Sequence, residues 1–131
     1  MVDPAYVQTM ARYNAWQNRS LCDAADTLDE EGRRRDRGAF FKSIHGTLNH
    51  VLWADEIWLH RLIGTPKPPI SGRDAPIYVD DWAEFRRRRA ERDEAILAWA
   101  ATVDANWLRG TLLWYSGAAG PELGKPRAFA L

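Results

Sequence analysis

Three histidines fall within Ser43–Leu62 (SIHGTLNHVLWADEIWLHRL), with two of the seven tryptophans and the densest apolar run of the chain. Imidazole serves as metal ligand, general base and proton carrier near neutral pH, so chemistry is sought here first. Wound as a helix at about 100° per residue, the run separates its histidines. His50 lies on the flank of the buried half, and Gly46 and Ala54, about one turn to either side, leave room around its ring. Lys42, His45, Asn49, Glu56 and His60 share another arc, which reads as the wet face. Ligands on one helix face stand three or four residues apart, and from His50 those positions hold Gly46, Thr47, Trp53 and Ala54, none a good donor. Taken alone, His50 reads more readily as a structural imidazole than as a metal ligand. Trp53, one turn on and on the same side, can floor a pocket, and Arg61 lies on the same flank. Asp55 falls inside the apolar arc and requires a partner if it is buried.

Other polar side chains also fall on apolar stripes. Asn14 and Asn18 sit among Val7, Met10, Leu21, Ala25 and Leu28, where a buried amide must be hydrogen-bonded. They serve either as interhelical bonds or as the lining of a polar pocket. Arg89 and Arg92 lie within the stripe of Trp82, Phe85, Ile96, Trp99, Ala100 and Val103. Either their stems pack while their heads reach water, or one turns inward to pair Asp55 or an anionic substrate. Cys22 lies off the first stripe and reads as a packing residue. No nucleophilic triad, paired-cysteine site or phosphate loop is present; Gly117–Gly120 lacks the Lys-Ser/Thr that a phosphate loop needs.

The elements that position these residues are helices. Asp3-Pro4 is a cap followed by proline, and it predicts a helix over about Pro4 to Leu28. Asp29–Arg37 is a charged connector with room for one short helical turn. A second helix is expected from about Phe40 to Leu62, stopped by Gly64 and a proline cluster. Residues 64–80 form a stiff, proline-rich strap, after which Asp80 or Asp81 caps a third helix from about Trp82 to Val103. Asn106–Lys125 reads as a short β-hairpin or flap whose strand character begins at Trp107, and PRAFAL reads as the start of another helix.

At 131 residues the chain, 1–131, makes one domain. Lys plus Arg and Asp plus Glu both number 18, so the balanced charge gives no reason to expect a nucleic-acid partner. No apolar run approaches the roughly 20 residues of a membrane span. The single cysteine fits a reducing compartment and a cytoplasmic location.

MARYNAWQNRSLCDAADTL, FFKSIHGTLNHVLWADEIWLHRLIG, WYSGAAG and KPRAFAL together resemble the DinB family of DNA-damage-inducible-like metalloenzymes. The resemblance implies an all-α, up-down-down-up bundle, often a homodimer, with three long helices and a small C-terminal hairpin present here. It implies a divalent metal, zinc or nickel, held by three histidines, one of which matches His50. The other two, an H-x-x-x-H pair on a fourth helix, would follow Leu131, so truncation is expected. Three helices alone would leave an apolar groove open to self-association. The implied chemistry is that of a metal-dependent enzyme acting on a small molecule. A thiol-dependent S-transferase or isomerase is the first form of this expectation, and a hydrolase is another. A non-catalytic dimerisation module is the competing class. Asn14, Trp53 and Arg61 are the pocket residues expected with His50, and Arg89 or Arg92 would meet an acidic substrate.

Overall fold

Asp3 accepts the Tyr6 N–H at 2.7 Å, and helix α1 (Pro4–Asp26) starts where its cap and proline predict. It ends two residues before Leu28, because Thr27 turns its backbone N–H and hydroxyl onto the last carbonyls. The computed structural model describes residues 2–116 and 120–131; residues 117–119, within the Gly117–Gly120 stretch and the WYSGAAG segment, lie outside the described residues. Asp29 caps the expected short turn in the charged connector, α2 (Glu30–Arg34).

Helix α3 (Ile44–Ile63) begins four residues later than the expected Phe40. Lys42 has φ +70°, in the left-handed region where no α-helix can continue, and Ser43 caps the helix by accepting the Gly46 N–H. Gly64, at φ +73°, closes it by donating its N–H to His60 O. After the strap and its 3-10 turn (Ala75–Ile77), Asp81 caps α4 (Trp82–Thr102). The strand expected from Trp107 instead begins at Thr111. Asp104 accepts the Trp107 N–H and starts a short helix, α5 (Ala105–Arg109). Strands β1 (Thr111–Ser116) and β2 (Gly120–Pro126) pair antiparallel from Thr111↔Pro126 to Ser116↔Gly120. One further turn of helix, α6 (Arg127–Ala130), follows.

The long helices are ordered up-down-down. Val7 and Ala11 of α1 pack with Ala100, Val103 and Leu108, while Cys22, near the other end of α1, packs with Leu52, Val79 and Phe85. That pairing runs α1 and α4 antiparallel. His45, early in α3, lies against Trp82 and Phe85, and Asp55 and Glu56, further along, meet Arg89 and Arg92, so α3 and α4 run parallel. Parallel neighbours need a connection that travels back along the helix, and the strap supplies it.

The stripe expected on α1 is rotated. Its buried residues are Val7, Ala11, Asn18, Cys22 and Ala25, whereas Met10 and Leu21 are 43% and 49% exposed. Small side chains at Ala11, Cys22 and Ala25 let α4 approach closely, and this contact outweighs the larger apolar residues of the neighbouring arc. Cys22 is thus a packing residue within the interface rather than beside it, and burial pushes its thiol pKa up.

Candidate functional site

The arc of α3 that reads as wet is its most buried face. His45, Asn49 and Glu56 are 3%, 1% and 4% exposed. The strap and α4 cover them, and each side chain finds a partner that hydropathy cannot show. Asn49 donates its amide to Val79 O at 3.0 Å and accepts the Val79 N–H at 2.9 Å, reading that residue as a strand neighbour would. His45 Nε2 stands 2.9 Å from the same carbonyl, so Nε2 carries the proton and donates. Burial holds the His45 pKa below its usual value against the opposing pull of this bond. Glu56 accepts from Arg88 at 3.0 Å and from Tyr78 at 2.5 Å, and lies 3.3 Å from Arg92. Burial and the Glu56 carboxylate push the Tyr78 hydroxyl up to about 12. His60 is half-buried rather than in water, its Nδ1 donating to Thr65 O at 2.6 Å just past the helix end.

The arginines of α4 turn inward. Arg89 bridges Asp55 and Asp93, each at 2.7 Å, and Asn18 donates to Asp93 at 2.9 Å. Desolvation raises the Asp93 pKa, while Arg89 and Asn18 pull it back. Asp55, expected to need a partner, has one, and Arg89 and Arg92 are occupied in ion pairs between α3 and α4. Asn18 forms the interhelical bond foreseen for a buried amide. Asn14 is half-buried without a side-chain bond among the described residues and lines a groove of about 180 Å³ with Tyr6, Met10, Trp58, Leu62 and Trp99.

His50 occupies a separate place on α3. Its ring is half-buried, stacked on Phe41 at 4.0 Å between centroids, with Trp53 6.1 Å away. Its Nδ1 is buried without a hydrogen-bond partner, and desolvation lowers its pKa, so the ring is neutral at pH 7. An unpartnered buried nitrogen costs about 1–3 kcal/mol.

Trp53 lies between His50 and a half-open cavity of about 870 Å³, lined by α3, the strap and β1. The Trp53 indole donates to Ile70 O at 3.1 Å, and the strap closes so tightly that a Cβ on Gly72 would stand 2.9 Å from the ring. His60, Arg61 and Lys67 line the same cavity, and Trp114 forms its far wall. Arg61 stacks over Trp58 at 4.8 Å, and its partial burial lowers its pKa. The structure thus brings Trp53 and Arg61 to one cavity, with His50 one residue row behind. Asn14 is in the small groove, and Arg89 and Arg92 are inside the bundle. The strap's part in the cavity escapes sequence reasoning; the proline cluster is its one visible sign.

Among the described residues there is no group of three His, Cys, Asp or Glu side chains able to hold a metal, and no helix long and apolar enough to cross a membrane. Compared with known protein families, residues 1–119 match the family described as the DinB family. No curated protein and no solved structure matches the chain.

Proposed function

The chain belongs to the DinB family, and on that premise we propose that it is a metal-dependent enzyme of that type. Its small-molecule substrate would enter the cavity beside Trp53, and His50 is the ligand this chain supplies. The observation that carries the reading is His50 itself, a neutral imidazole whose buried Nδ1 has no partner. As a donor set the described residues fit one ligand and no more, because no three-donor group is present among them. A tightly held zinc or nickel needs further donors beyond these residues, so no catalytic step is routed through a metal. The reaction class carried by the resemblance is thiol-dependent S-transfer or isomerisation, with metal-assisted hydrolysis as its variant. A working site requires close to one divalent ion per protomer in metal analysis of purified protein, lost on His50→Ala. Metal-free protein whose melting temperature ignores a chelator would overturn the assignment.

One observation favours the second reading, a dimerising helical module. Tyr6, Met10, Tyr13 and Trp16 line one side of α1, with Trp16 56% exposed. An apolar surface of this kind marks a contact face. Light scattering at tens of micromolar is expected to give a homodimer, and a monomer would count against it.

A further inference from the structure

We propose that the cavity between α3, the strap and β1 binds a small organic anion, its carboxylate or phosphate held by Arg61 and its apolar body lying between Trp53 and Trp114. This deepens the proposed function by naming a substrate class, and it rests on that reading only for the claim that the bound molecule is turned over.

The cavity's about 870 Å³ is the size of a ligand pocket. Its lining carries three basic side chains, His60, Arg61 and Lys67, and among the described residues no aspartate or glutamate. Seven of the other fourteen arginines, Arg34, Arg35, Arg86, Arg87, Arg88, Arg89 and Arg92, lie within 4.0 Å of a carboxylate, and Arg33, Arg37 and Arg127 bond backbone carbonyls. Arg61 has no such partner among the described residues, although it is partly buried. Its guanidinium has five donors, and none bonds a described residue; its central carbon stands over the Trp58 ring, 4.8 Å from the centroid. A half-desolvated guanidinium held by stacking suits bidentate capture of a carboxylate or phosphate.

A basic residue in the last turn of a helix also complements the helix dipole. His60 serves that end through its bond to Thr65 O. Arg61 makes no such bond to a carbonyl, so helix closure does not account for its position. The remaining walls suit the rest of a ligand. Pro68, Pro69, Ile70 and Trp114 are apolar, and Trp53 is locked by its bond to Ile70 O and by the close approach of Gly72. The wall is therefore formed before any ligand arrives.

The test is isothermal titration of the full chain with 4-phenylbutyrate and phenyl phosphate, against the neutral 4-phenylbutanol. Both anions are expected to bind at least tenfold more tightly than the alcohol. Arg61→Gln should lose that advantage, Arg61→Lys should keep part of it, and Arg73→Gln, outside the cavity lining, should keep all of it. Circular dichroism establishes that each variant is folded, and Lys67→Gln, expected to weaken both anions about threefold, provides a second reading should Arg61→Gln unfold. Equal affinity for anion and alcohol, no binding of either anion at millimolar concentration, or full anion affinity in folded Arg61→Gln would overturn the assignment. Metal content is read on the same samples. Protein that binds the anions without metal refutes the His50 assignment and keeps this one, and metal-loaded protein indifferent to the anions does the reverse.

Discussion

His45 and Asn49 show how a single backbone group decides the burial of polar side chains. Val79 offers a carbonyl and an N–H to α3, and both side chains settle on them. Helical arithmetic sorts residues by hydropathy and so sends His45, Asn49 and Glu56 to water; it has no access to a carbonyl 30 residues downstream. The fixed tautomer has a consequence for pH. Burial depresses the His45 pKa, with Arg33 and Arg34 adding to the push and the Val79 bond and Asp80 opposing it. Unfolded histidine titrates near about 6.5. Between that value and the lower folded one, the unfolded chain holds a proton that the folded chain does not. The His45 contribution to stability is therefore full above about pH 6.5 and declines as pH falls through the folded pKa. Asp93, raised by burial, works in the opposite sense, and His50 works in the same sense as His45. His45→Gln leaves both in place while replacing the titrating donor with an amide. Urea denaturation between pH 7.5 and 5.5 should therefore show a shallower loss for His45→Gln than for wild type; identical slopes would exclude a buried neutral His45.

Between elements, buried charge joins the apolar contact of Leu52 with Phe85 in fixing how α3 sits on α4. Arg89 holds Asp55 of α3 and Asp93 of its own helix, and Asn18 of α1 completes the set. The cap residues Asp3 and Asp81 mark helix starts that are legible in the sequence, whereas the start at Asp104 is hidden by the β-formers that follow it; the inward turn of one arginine to Asp55 was among its open alternatives. The start of α3 is less legible because nothing in Phe40–Lys42 announces a left-handed lysine. Removing one partner of a buried ion pair costs about 3–5 kcal/mol, since the remaining charges are left uncompensated. Arg89→Met should cost that much at pH 7, because it leaves Asp55 and Asp93 facing each other. Without the guanidinium, Asp93 takes up a proton more readily as the pH falls, which relieves the repulsion. The deficit should accordingly shrink at pH 5. A loss below about 1 kcal/mol, or one that does not change with pH, would mean that the cluster is solvated rather than buried.

The molecule as a whole is shaped by one topological fact: α3 and α4 are parallel. A chain leaving Ile63 must return along α3, about 30 Å for a helix of 20 residues, before α4 can begin. The proline-rich composition of residues 64–80 shows that this connection is stiff, but not what it covers; the cavity is lined by its first part, Lys67–Gly72, and the strap is tied to α3 by two attachments. One attachment is Val79 on Asn49, and the other is Ile70–Gly72 on Trp53. The second depends on the missing side chain at Gly72. Its φ is ordinary, so the constraint is space alone: a Cβ would stand 2.9 Å and 3.2 Å from the outer carbons of the Trp53 ring, and the indole is held in place by its own hydrogen bond. Gly72→Val must displace either the ring or the strap. Overpacking of this kind costs about 1–3 kcal/mol, and here the displaced segment is the cavity wall. The variant should keep its helical circular dichroism while Arg73 becomes a faster site of trypsin cleavage and exchange protection falls on either side of residue 72. Anion affinity at Arg61 should fall with it, because Trp53 no longer has a fixed wall opposite. Wild-type stability and an unchanged cleavage rate in Gly72→Val would show that the strap is free to slide, and would remove the preformed cavity on which the anion site depends.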